Sequence, residues 1–234
     1  AMTCAATFLF SSLESCATGT CFILFYLSLL RSYQDKRAPG IAFYSFACLG
    51  IASLFFVQIL YFVPFLWILM ASNMMALTHR MFWATVLGLV MPYWFAVGYY
   101  VVTNQFDAFI DHFAELAQFE PLLKYEALDI HRIATFGLVV LLAVIGIIHY
   151  MRNSYQDKIR TRMIFEMFIT VDILSFVFII LQPQHFDNLL PIIIVNTSCL
   201  FAHYVALTRT WLTNVTFIVM CLATLGLTIF NLMP

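Results

Sequence analysis

The stretch that decides the fold runs from Ala38 to Thr78 and reads APGIAFYSFACLGIASLFFVQILYFVPFLWILMASNMMALT. It contains no Asp, Glu, Lys or Arg. Its length is about twice the roughly 20 apolar residues that an α-helix needs to cross the hydrocarbon core of a membrane. The sequence therefore predicts two membrane-spanning helices joined by a tight turn, which we place near Phe56 to Pro64.

The rest of the chain has the same apolar character. Hydrophobic residues make up 63% of the sequence and charged residues 10%, against about 45 to 50% and about 25% in soluble domains. Such a chain has too little polar surface to cover a soluble globule, so we expect lipid to surround most of it. The apolar runs are continuous and do not alternate, which indicates helices rather than the strands of a membrane barrel.

Five later spans are each bounded by charged residues, Pro or amide-rich segments, near residues 82–102, 133–151, 163–181, 190–207 and 215–232. Near the N-terminus, residues 17–30 form a further, shorter apolar stretch. Residues 1–13 are about half a span long, and we interpret them as the tail of a helix whose start is missing. The predicted fold is an all-α, polytopic transmembrane helix bundle with about seven complete spans and one partial N-terminal span. We expect a single domain over residues 1–234.

The Lys and Arg residues divide unequally between the two sets of loops that these spans create. One set holds only Lys124 and Arg132, whereas the other holds nine basic residues: Arg31, Lys36, Arg37, Arg80, Arg152, Lys158, Arg160, Arg162 and Arg209. An excess of Lys and Arg in short loops marks the cytoplasmic side. We therefore predict that loop 152–162 is cytoplasmic and that segment 103–132 is external.

The external segment 103–132 contains an amphipathic helix. Apolar residues recur in it at three- and four-residue spacing, and the opposite face carries Asp107, Asp111, His112 and Glu115. In one interpretation these acids face water while the apolar stripe packs on the bundle or in lipid. In the other, they line an external site, either as a divalent-metal cluster or as an acid and base pair.

A second group of candidate residues lies in the turn between the spans 163–181 and 190–207. His185 and Asp187 are two residues apart in this turn, and they face the same compartment as the amphipathic helix. We therefore predict that functional residues converge in an external cleft. The catalytic candidates are Asp107, Asp111, His112, Glu115, His185 and Asp187.

Polar residues inside the spans form a separate set. Asp172 lies near the bilayer midplane, where a carboxyl group normally turns toward the bundle interior. We expect it to be structural and neutral, with a hydrogen bond to Asn196 and with Thr197 as another partner at that depth; the alternative is a proton or substrate path. We expect Glu166 to pair with Arg162 one turn earlier. His203 is interpreted as an interfacial residue.

Other features limit the possible functions. The net charge of −1 excludes a basic nucleic-acid surface. The chain has no glycine-rich phosphate loop and no HExxH or GxSxG motif, and we predict no cofactor and no metal centre. The six cysteines fall mostly in apolar runs without paired spacing, which predicts buried structural thiols.

Four stretches carry a resemblance to known proteins: LGLVMPYWF at 87–95, YQDKIRTRM at 155–163, LQPQHFD at 181–187 and AHYVALT at 202–208. Together they resemble a functionally uncharacterised family of multi-pass inner-membrane proteins of the Bacteroidota. This resemblance implies a bacterial inner membrane and supplies no catalytic residues. A weaker likeness is to membrane glycan polymerases and lipid-linked glycosyltransferases, which also combine a basic cytoplasmic loop with polar residues just outside the membrane.

Three functions from different classes follow as expectations. The first is a non-catalytic membrane subunit or scaffold of a cell-envelope complex, because short loops and one midplane acid suffice for a packing partner. The second is a lipid-linked glycan polymerase or glycosyltransferase-like enzyme with its site on the external face, and the third is a small transporter. The expected partners are the lipid bilayer and either another membrane protein or a second copy of this chain.

Overall fold

The computed structural model describes residues 12–117, 129–207 and 211–232. Over these residues the chain forms helices and no strands, which confirms the predicted all-α helix bundle. The α-helices in these ranges are α1 Leu13–Leu29, α2 Pro39–Phe55, α3 Val63–Ser72, α4 His79–Val102, α5 Phe106–Ala117, α6 Ile130–Asn153, α7 Ile159–Leu181, α8 Phe186–Leu207 and α9 Trp211–Leu232. The predicted half-span at the N-terminus falls almost entirely outside the described residues, as does part of segment 103–132.

Six helices of the described chain are long and apolar enough to cross a membrane, judged by length and composition: α1 with the turn that follows it, α4, α6, α7, α8 and α9. All five later spans of the sequence prediction are among them, which fits a multi-pass membrane protein. Each begins a few residues earlier than predicted. The reason is that polar residues such as Arg80 and Arg160 continue the helix beyond the apolar run, since long basic side chains reach back to the membrane surface.

The stretch from Ala38 to Thr78 contains the two predicted helices and the predicted turn. Pro39 opens α2, and the extended backbone of Phe56 (φ −140°, ψ 91°) ends it. A 3₁₀ segment over Val57–Phe62 then leads into α3. Both apolar helices are shorter than the six long ones, because the 3₁₀ segment fills the predicted turn and the loop after α3 takes up residues that we had counted in the second span.

The chain divides into two compact units. The N-terminal unit comprises residues 17–121, and the C-terminal unit comprises residues 1–16 and 122–234. Each has a core of its own, with fully buried side chains such as Phe25 and Phe46 in the first and Met167 and Leu189 in the second. The single domain expected from the sequence stays a prediction.

The N-terminal unit is built on the close approach of α2 and α4. A Cβ atom added at Gly50 would lie 2.6 Å from the carbonyl oxygen of Leu89, and one added at Gly88 would overlap the carbonyl oxygen of Phe43. The two helix backbones therefore touch directly at two glycines, as is typical of membrane helices that pack through small residues. Beside this contact, the Trp67 indole of α3 donates to the Thr85 hydroxyl of α4 at 3.0 Å.

The C-terminal unit is built around α8, which packs against both α6 and α7. Gly146 of α6 fits against Leu200, where an added Cβ atom would meet the Leu200 side chain at 3.0 Å. By contrast, only 6% of the apolar stretch of α9 is buried inside the protein. Contacts near its C-terminal end join it to α6: Asn231 donates to the Thr135 hydroxyl at 3.0 Å, and the Phe230 ring packs on His131.

The prediction of buried cysteines is wrong for the five that the structure describes. Cys16 and Cys221 are exposed, and Cys21, Cys48 and Cys199 are partly exposed; none of the five forms a disulfide bond within the described residues. The physical reason is that an apolar run in a membrane helix has an outward face as well as a packed one. An apolar neighbourhood in the sequence therefore does not imply burial inside the protein.

Candidate functional site

The amphipathic helix predicted in the external segment is α5, and its aromatic face is fixed to the N-terminal unit. Phe109 and Phe113 pack edge to face with centroids 5.1 Å apart, and Phe113 packs 5.2 Å from the Tyr93 ring of α4. His112 attaches the same side of α5 to α2, because its Nε2 donates to the carbonyl oxygen of Ser53 at 3.0 Å. Near the end of α5, the Tyr61 hydroxyl donates to the carbonyl oxygen of Leu116.

His112 therefore does not belong to a row of catalytic groups on the outer face of α5. The other three candidates of that helix, Asp107, Asp111 and Glu115, are all exposed. This arrangement agrees with the interpretation in which the acids face water. His112 instead lines a cavity of about 360 Å³ with aromatic side chains, among them Phe95, Tyr99 and Phe109.

The candidates near the start of α8 are engaged within the C-terminal unit: His185 lies in the turn before the helix and Asp187 in its first turn. Asp187 accepts two hydrogen bonds from the Arg132 guanidinium, from Nε at 3.2 Å and from Nη2 at 2.8 Å. Both side chains of this ion pair are about one-third exposed. The His185 ring stacks on Phe178 with centroids 6.1 Å apart. Asp187 therefore joins the start of α6 to the start of α8.

The predicted external cleft combines residues of both units, with four candidates on α5 and two near the start of α8. Since each unit is compact by itself, the convergence of these six residues stays a prediction. Within the described ranges, no group of three or more His, Cys, Asp or Glu side chains could hold a metal ion.

Asp172 lies in the interior of the C-terminal unit with none of its surface exposed. The hydroxyl of Thr197 on α8 donates to its carboxyl group, at 3.2 Å from Oδ2 and 3.5 Å from Oδ1. Thr197 was one of the two predicted partners. The other prediction, a hydrogen bond between Asp172 and Asn196, is wrong, because successive residues of a helix point about 100° apart and only Thr197 faces the carboxyl group.

Asn196 is itself fully buried on α8. Neither its Nδ2 nor its Oδ1 has a hydrogen-bond partner among the described residues. Asn196 is therefore not the partner of Asp172.

A third polar cluster lies where the C-terminal ends of α6 and α8 meet the N-terminal end of α7. His203 Nε2 is 3.0 Å from Asp157 Oδ2, and both side chains are almost buried, 8% and 12% exposed. The alignment of this pair is too poor for a hydrogen bond. The His203 ring packs 4.4 Å from Phe165. His203 is thus an interior residue paired with an acid, and its expected position at the membrane interface stays a prediction.

His149 of α6 belongs to the same cluster. Its ring lies 6.1 Å from that of His203 and 4.9 Å from that of Tyr204, and its Nε2 is 2.7 Å from Asn153 Nδ2. Beside it lies a cavity of about 330 Å³. The cavity has an apolar side and a polar side and is lined by Ile145, Ile148, His149, Arg152, Asn153 and Tyr204.

Sequence reasoning did not single out Asp157, although a signal was present. Asp157 is the only acid in the basic loop 152–162, and His149 and His203 lie near the C-terminal ends of α6 and α8, two parallel spans separated by one antiparallel span. Residues at matching depths of neighbouring spans meet in a bundle, so these three residues could have been grouped. The pairing of Glu166 with Arg162 stays a prediction.

Comparison with known proteins adds no identity to these observations. No family model matches the chain, and no curated protein or solved structure matches it significantly.

Proposed function

We propose that this chain is a non-catalytic membrane subunit or scaffold of a cell-envelope complex in a bacterial inner membrane. The observation that carries the proposal is that three of the polar candidate side chains bind neighbouring helices to each other. His112 attaches α5 to the end of α2, Asp187 joins α8 to α6 through Arg132, and Asp172 joins α7 to α8 through Thr197. Side chains used in this way stabilise a fixed shape, which is what a scaffold requires.

The acidic face of α5, formed by Asp107, Asp111 and Glu115, supports the same proposal. These carboxylates are one helical turn apart, and like charges at this spacing cost an isolated helix about 0.2 to 0.5 kcal/mol per pair. Aromatic packing and the His112 contact hold the helix in place. The face is therefore a fixed row of negative charge, complementary to a protein partner with a basic surface.

Co-purification tests the proposal. We expect the full chain, extracted in mild detergent at low salt, to carry a protein partner in fixed stoichiometry. Neutralising the acidic face by Asp107→Asn, Asp111→Asn and Glu115→Gln should reduce recovery of that partner several-fold, because the charges that attract its basic surface are gone. High salt should have the same effect on the unaltered chain, since salt screens exposed charges.

The matched control neutralises two exposed acids elsewhere, by Glu14→Gln and Asp35→Asn, and should leave recovery unchanged. Equal loss in the control would mean that total charge, and not the acidic face, determines association. A bound lipid-linked sugar without any protein partner would contradict the scaffold proposal and favour the glycan enzyme.

The proposal includes an orientation, with loop 152–162 in the cytoplasm and α5 outside. It rests on the nine-to-two distribution of Lys and Arg between the two sets of loops. In a cysteine-free background, an impermeant thiol reagent added to intact cells should modify Ala108→Cys and spare Gln156→Cys, because both positions are exposed and only the first is expected outside. Permeabilised cells, in which both should react, provide the control. Modification of position 156 alone in intact cells would reverse the orientation.

A further inference from the structure

The cavity beside α6 has the two-sided character of a site for an amphiphile. Its apolar side is formed by Ile145 and Ile148, and the Ile148 side chain is 53% exposed on the outer surface of the helix. One turn further along α6, the lining changes to Arg152 and Asn153. Apolar side chains therefore give way to a cation and an amide over a few ångströms, as between the acyl chains and the headgroup of a lipid.

The charge at this end of the C-terminal unit favours an anion. Arg152 is exposed, and none of the carboxylates in the described residues forms an ion pair with it. Arg160 and Arg162 in the first turn of α7 add positive charge, as does Lys158 in the loop before them. The one acid of that loop, Asp157, lies against His203 inside the unit. The cavity thus opens beside a cation whose charge no neighbouring acid neutralises.

The polar wall of the cavity is also built to hold its shape. His149 is fixed by Asn153 at 2.7 Å, and its ring lies edge-on to Tyr204 at 4.9 Å. Tyr204 is only 8% exposed, so the ring that closes the α8 side of the cavity is held by the core. A preformed pocket loses less conformational freedom when a ligand binds than a flexible surface does.

From these three observations we propose that the cavity binds the phosphate headgroup of an anionic phospholipid, with Arg152 contacting the phosphate and an acyl chain lying along Ile145 and Ile148. Basic pockets between membrane helices are suited to such headgroups. This site lies in the C-terminal unit and does not depend on the acidic face of α5. The two proposals can therefore fail separately.

Native mass spectrometry of the detergent-solubilised full chain tests the site with two lipids of identical acyl chains. We expect phosphatidylglycerol, which is anionic, to bind more tightly than phosphatidylcholine, which is zwitterionic. Arg152→Gln should weaken phosphatidylglycerol binding about fivefold, the loss that corresponds to roughly 1 kcal/mol for one basic residue near a charged headgroup. Arg152→Lys, which keeps the charge, should retain most of the binding.

Arg160→Gln is the matched control, because Arg160 is exposed in the first turn of α7 but does not line the cavity. It should leave phosphatidylglycerol binding unchanged. An equal loss in both variants would mean diffuse attraction by the basic loop and would overturn the proposal. Equal binding of the two lipids would show that the cavity is only an apolar groove. Displacement of phosphatidylglycerol by inorganic phosphate at millimolar concentration would identify a site for free phosphate. Either result would also overturn the proposal.

Discussion

Gly88→Ala is expected to lower the free energy of unfolding of the N-terminal unit by about 3 kcal/mol, at the upper end of the cost of overpacking a well-packed interface. The added methyl group would overlap the carbonyl oxygen of Phe43, which belongs to the backbone of α2 and has no rotamer to change. The helices can accept the group only by moving apart, and the contacts on both sides of Gly88 then weaken. Denaturant titration in micelles, followed by the fluorescence of Trp67 and Trp83, measures this loss.

Gly98 provides the control on the same helix. No atom lies within 4 Å of a Cβ added there, so Gly98→Ala should be neutral or stabilising by up to about 1 kcal/mol, because alanine favours helix. The close approach at Gly50 predicts a loss for Gly50→Ala as well. Equal stability of the Gly88 and Gly98 variants would contradict the direct backbone contact between α2 and α4.

Thr197→Val is expected to cost the C-terminal unit about 1 to 3 kcal/mol, the penalty for leaving a buried polar group without its partner. Valine has nearly the shape of threonine, so packing is kept while the hydrogen bond to Asp172 is lost. Asp172→Asn should cost less, well under about 1 kcal/mol, because the amide oxygen can still accept from Thr197. Thermal unfolding of the purified variants in detergent measures both effects.

Thr170→Val on α7 is the control for this pair, because the Thr170 hydroxyl donates to the carbonyl oxygen of Glu166 within its own helix. It should have little effect. The expected order of stability is therefore Thr170→Val, then Asp172→Asn, then Thr197→Val. Loss of a transport or proton-coupled activity in Asp172→Asn at normal expression would show instead that Asp172 acts in a path through the bundle.

Much of this fold could be predicted because membrane helices are encoded in long, uniform runs. The turn after α2 was placed correctly, since an apolar stretch twice the length of a span must contain one. The start of α7 was placed too late, because Arg160 and Arg162 look like loop residues in the sequence but extend the helix. Hydropathy detects the part of a helix that lies in lipid and misses the turns at its ends.

The candidate site was harder to predict, because contacts between helices depend on rotation as well as depth. Matching depth in the membrane correctly predicted that Thr197 lies beside Asp172. It could not distinguish Thr197 from Asn196, its neighbour in the sequence. Rotation also explains His112, which the helical pattern assigned to the acidic face but which reaches the end of α2. Sequence spacing located the polar residues, and packing decided which of them meet.

The short length of α2 has a consequence for the membrane around the protein. Its 17 residues extend about 26 Å at 1.5 Å per residue, whereas a typical hydrocarbon core is about 30 Å thick. A bilayer adapts to a short helix by becoming thinner beside it, at a cost of a fraction of a kcal/mol for each ångström of mismatch. Tilting cannot relieve this mismatch, because a tilted helix spans an even smaller thickness. If α2 crosses the membrane, as the sequence predicts, we expect thin bilayers to suit the N-terminal unit beside α2 and lipid chain length to influence where the protein resides in the membrane.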